Sequence, residues 1–119
     1  DLAFFYRASD SGVPVPEGSP SPLGYFIYEQ ARPDDPDPCA GRHTPLRWDF
    51  QWLQPDKPAW RLDDERTTAM INWLKEQPQV SRLFLEPHLA QRLGVAGGKL
   101  HFQGCRAARH DDHIHIELR

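Results

Sequence analysis

A chain of 119 residues holds one domain's worth of sequence, and 39% hydrophobic against 26% charged residues suits a small packed core rather than disorder. Its net charge of -3 supplies no basic field to hold nucleic acid. No apolar run approaches the length of a membrane span.

The chain opens at Asp1 without an initiator methionine. It reads as a single domain, 1–119, either processed or truncated at its N-terminus. The two cysteines, Cys39 and Cys105, form no CxxC pair, so they are either bridged in an oxidising compartment or two buried thiols.

In chain order, "DLAFFYR" reads as a short buried strand, apolar without a break from Leu2 to Tyr6. From about 8 to 44 most of the chain's 12 prolines accumulate. Proline removes backbone donors and blocks helix interiors, which makes this stretch a long surface loop. Within it "LGYFIYEQ" is apolar enough to dock on the core, and "RWDFQWLQP" beyond it reads as extended chain.

The second half is more regular. "LDDERTTAMINWLKEQP" predicts a helix capped by Asp63 or Asp64, with Ala69, Met70, Trp73 and Leu74 as its apolar face and Pro78 as its stop. "VSRLFLE" predicts a strand. "PHLAQRLG" predicts a short helix with Pro87 in its first turn and Gly94 just past its end. "KLHFQG" and the terminal "HIHIELR" predict two more strands. The expected class is α+β, with two helices and a small, largely antiparallel sheet.

The chemistry concentrates at the end, in "RHDDHIHIELR". Strict alternation places His113, His115 and Glu117 on one face of a strand and Ile114, Ile116 and Leu118 on the other. A lone histidine is most often a surface or satisfied core residue. Three of the six histidines, at 110, 113 and 115 beside Asp111 and Asp112, favour a metal site. Imidazole nitrogen suits zinc, and a catalytic zinc takes three protein ligands plus water. The neighbouring carboxylates would orient the rings from behind. One strand supplies one or two ligands, so the others must come from elsewhere. His88 and His101 receive no chemical role.

"RHDDHIHIEL", preceded by "DDERTTAMINWLKEQPQV" and "SRLFLEP", resembles the penicillin-insensitive murein endopeptidases, zinc peptidases grouped with D-Ala-D-Ala carboxypeptidases and lysostaphin-type enzymes. The resemblance spans roughly 62–119 plus the opening strand. It implies the C-terminal part of a zinc-peptidase catalytic domain. It also implies His115 as a zinc ligand, His113 as the catalytic or polarising residue, and His110 as a further active-site histidine.

The family's remaining ligands come from a His-x6-Asp motif running into an apolar strand. Asp1, opening "DLAFFYR", matches its aspartate, with the partner histidine expected before residue 1. A second match is His43 and Asp49 in "HTPLRWDFQW", one residue closer than the family spacing and without its glycine. Asp1 is preferred, because residues 8–42 show no helix of the kind the second match needs.

The resemblance implies Zn2+ as cofactor and hydrolysis of an amide crosslink between D-alanine and a diamino acid in peptidoglycan stem peptides. It places the protein in the periplasm or outside the cell, which fits a Cys39–Cys105 disulfide. No glutamate stands where related carboxypeptidases keep a general base, which leaves His113 for proton transfer or oxyanion stabilisation. Two alternatives stay open. One is a glycyl-glycine peptidoglycan hydrolase, which also ends in an HxH strand. The other is a non-catalytic zinc- or cell-wall-binding module.

Overall fold

The computed structural model describes residues 1–16, 31–41, 59–107, 110 and 112–119. Among these, the elements run β1 (Leu2–Ala3), β2 (Tyr6–Ala8), β3 (Trp60–Leu62), α1 (Asp64–Glu76), β4 (Val80–Phe84), α2 (Pro87–Arg92), β5 (Leu100–His101) and β6 (His113–Leu118). The fold is α+β. A four-stranded sheet has the order β1-β6-β4-β5, and β2 and β3 form a separate two-stranded ribbon.

The expected antiparallel sheet holds for β1–β6, β4–β6 and β2–β3. β5 departs from it and runs parallel to β4. The cause is the intervening helix: α2 carries the chain back to the starting end before β5 begins, as parallel pairing requires.

The opening strand is not one buried element. Leu2 and Ala3 pair with β6, whereas Tyr6–Ala8 pair with β3, so the chain changes partner at Phe4 and Phe5. Phe4 and Tyr6 are buried while Leu2 and Phe5 stay exposed. An unbroken apolar run reads as burial on both faces. Here only one face meets the core, and the Phe5 ring instead lies 4.8 Å under the Arg66 guanidinium.

Helix α1 starts where its cap predicts: the Asp63 side chain accepts from the Arg66 backbone N–H at 3.1 Å. Its buried face is Thr67, Ile71 and Leu74, with Met70 packed partly against the core. Ala69 is exposed and Trp73 is 58% exposed, contrary to the predicted face. A threonine decides the rotation. The Phe5 backbone N–H donates to Thr67 Oγ1 at 3.2 Å, so this polar side chain is satisfied in the interior and turns the helix toward it.

Strand β4 and helix α2 follow their predicted limits closely. Pro87 occupies the first turn of α2, and Gly94 just beyond it takes φ 64°, the left-handed conformation that glycine adopts without a Cβ penalty. The core gathers Tyr6, Ile71, Leu83, Leu89, Val95 and Ile114 between the helices and the sheet.

Of the proline-rich stretch, residues 31–41 form turns tied to the second half of the chain. Cys39 and Cys105 are joined by a disulfide, and Arg92 of α2 pairs with Asp35 at 3.2 Å. The segments expected to dock (23–30) or run extended (47–55) lie outside the described residues. So do His43, Asp49 and Asp111. The strand β3, just before α1, has no counterpart among the predicted elements.

Candidate metal and catalytic site

Strand β6 sets the site by its two-residue period. Ile114 is fully buried and Ile116 packs partly against the core, so His113 and His115 face the opposite side. The alternation fails at the end, where Leu118 is 63% exposed rather than packed inward. Its partner is Val80, and the register shifts between Val80 and Arg82, so the last residue of β6 lies past the core.

Strand β1 runs beside β6 with Leu2 opposite Ile114 and Ala3 opposite His113. That register carries Asp1 alongside His115. The Asp1 Oδ1 lies 2.6 Å from His115 Nδ1, and Asp1 Oδ2 lies 3.9 Å from His113 Nε2. The rings of His110 and His113 are 5.0 Å apart, and those of His110 and His115 are 5.7 Å apart. Asp1, His110, His113 and His115 therefore meet at one place, although 109 positions separate the first two.

His110 and His113 are buried, while the side chains of Asp1 and His115 keep 45% and 40% of their exposure. The cluster thus has a closed floor and an open mouth. His110 is anchored through its backbone: its N–H donates to the buried Glu86 carboxylate at 3.0 Å. The Glu86 N–H in turn donates to the His110 carbonyl at 3.4 Å. His113 Nδ1 lies 2.6 Å from Oδ1 of Asp112, a fully buried carboxylate.

Burial pushes the His115 imidazole below its ordinary value of 6.5, helped by His113, while Glu117 works against the shift. A neutral imidazole is the form that ligates metal.

Tested against zinc, the donor chemistry fits: a carboxylate oxygen and an imidazole nitrogen face each other. Two tetrahedral ligands at about 2.0–2.2 Å from zinc stand about 3.3 Å apart, so Asp1 and His115 would separate by less than about 1 Å to admit it. Among the described residues no group of three or more His, Cys, Asp or Glu side chains is arranged to hold a metal ion. Asp1 and His115 would hold two of its positions, with His113 beside them.

Two neighbours were not singled out from the sequence. Phe84 lies opposite both His115 and His101 in the sheet, with its ring centroid 5.6 Å from the first and 6.3 Å from the second. Glu86, the other, continues from the same strand. The alternation of "LFLE" was the available signal, since Leu83 and Leu85 take the core and leave Phe84 and Glu86 for the histidine side. His88 is buried on α2, outside the cluster.

No helix among the described residues is long and apolar enough to cross a membrane. No family model, curated protein or solved structure matches the chain.

Proposed function

We propose that this domain is part of a zinc-dependent peptidoglycan endopeptidase that hydrolyses the amide crosslink between D-alanine and a diamino acid, in the periplasm or outside the cell. One observation carries the reading: the Asp1 carboxylate and the His115 imidazole, from opposite ends of the chain, stand 2.6 Å apart with His113 and His110 around them. That is the set which the resemblance to murein endopeptidases assigns to the metal and its surroundings. The Cys39–Cys105 disulfide supports an oxidising compartment.

Zinc, when bound, supplies a Lewis acid that polarises the scissile carbonyl and acidifies water. Asp1 and His115 would hold it, as two of the protein ligands that the resemblance implies. His113, whose Nε2 faces Asp1, would accept a proton there and pass it on. His110 lines the floor of the site beside it.

The test is muropeptide release by the protein, with and without a chelator. Cleavage should need zinc and should vanish in His115→Ala. Equal cleavage without metal, or with His115 replaced, rules the reading out. A second reading is a non-catalytic zinc- or wall-binding module. Zinc binding with no hydrolysis would favour it.

A further inference from the structure

We infer that Asp112 is a positioning residue for His113: its carboxylate fixes which ring nitrogen carries the proton and aims the other one into the site. This rests on the functional reading above, but its geometry stands apart from the metal. Asp112 Oδ1 lies 2.6 Å from His113 Nδ1. A carboxylate only accepts, so the Nδ1 must donate. In the neutral ring that leaves Nε2 as the lone-pair nitrogen, and Nε2 is the atom lying 3.9 Å from the Asp1 carboxylate. Free imidazole has no such constraint.

The carboxylate is itself held. Asp112 is fully buried, and the Tyr6 hydroxyl, also buried, donates to its backbone carbonyl at 3.3 Å. The immediately following residue enters β6 and is paired with Ala3, so neither side of the contact is free to drift. The other carboxylate oxygen, Oδ2, is buried with no hydrogen-bond partner among the described residues. The arrangement has the logic of a carboxylate that orients a general-base histidine without exchanging its proton.

Nitrogen-15 NMR of the full chain, free of metal and at a pH where the imidazoles are neutral, reads the tautomer of each histidine directly. His113 should show a protonated Nδ1 and a bare Nε2. In Asp112→Ala the His113 ring should move toward the Nε2–H form. A parent spectrum with the proton on Nε2 overturns the inference whether or not any variant folds. So does an Asp112→Ala spectrum unchanged at His113. Adding zinc separates the two readings. If no histidine resonance responds to zinc, the metal reading fails while the tautomer result still decides the role of Asp112.

Discussion

The histidine strand β6 has two neighbours that could hardly differ more. On one side β4 contributes five residues, with Val80, Leu83 and Phe84 all buried. On the other side β1 contributes two residues, both exposed, and Leu2 keeps 43% of its surface. Yet β1 is the strand that delivers Asp1. The histidines therefore stand on a rigid platform, while their carboxylate partner arrives on a weakly buried edge. Burial of apolar area dominates folding and is nearly all on the β4 side. A ligand shared between Asp1 and His115 would close the other side, since whatever binds only the folded state stabilises it.

The sharpest test of this contrast is His115→Ala, which removes the donor on β6 that faces Asp1. Replacing residues that merely support a ligand already costs about 10–100-fold in metal affinity. Zinc affinity, measured by competition with a chromophoric chelator, should therefore fall by at least about 100-fold, with hydrolysis lost. Asp1→Ala should do the same to zinc while leaving the melting temperature of the metal-free protein nearly unchanged. A large loss of metal-free stability in Asp1→Ala would break the picture of a loosely held edge.

On the platform side, Leu83 is fully buried between β6 and β5. Leu83→Ala should cost about 2–5 kcal/mol in denaturant unfolding, from lost transfer energy and the cavity left behind. Opening the Cys39–Cys105 disulfide, which spans a sequence separation of 66, should cost about 2–5 kcal/mol and leave the sheet intact by circular dichroism.

Asp63 sharpens the pH behaviour away from the site. Burial alone would raise its pKa, but the Arg66 backbone N–H, the Arg66 guanidinium and the Arg7 charge outweigh burial and hold it below 3.8. A depressed folded-state pKa stabilises the protein fully above the unfolded value of about 3.9. That contribution is lost as pH falls from about 4 through the lower folded-state value. Asn caps helices about as well as Asp. Asp63→Asn should therefore flatten this acid-side decline, and an unchanged slope in a pH series of unfolding measurements would count against the account.

The smallest effect belongs to the edge: Leu2→Ala should change stability by no more than about 0.5 kcal/mol, as surface substitutions do. A loss near that of Leu83→Ala would erase the distinction between the two flanks.

What could be read from the sequence was set by local periodicity and end chemistry. Two-residue alternation in "HIHI" put His113 and His115 on the face away from Ile114, and Pro87 and Gly94 bounded α2, because these rules act within a few residues. The juxtaposition expected from the resemblance, Asp1 beside His115, has its counterpart in the register of β1 against β6. Local rules could not foresee the α1 face, because Thr67 is buried by a hydrogen bond from Phe5, 62 positions away. Nor could they foresee that β5 would lie parallel to β4, that Leu118 would overrun the core, or that two separate sheets would share "LAFFYR".

The sequence by itself determined which residues could do chemistry and which side of their strand they occupy, since side-chain type and strand pitch are local properties. Only the tertiary structure decided who stands beside them. Sheet pairing brought Asp1 to His115, the β4–α2 junction brought Glu86 to the His110 backbone, and burial turned Asp112 onto His113. Such contacts depend on the whole chain closing around one core, where long-range packing selects among local choices of nearly equal energy.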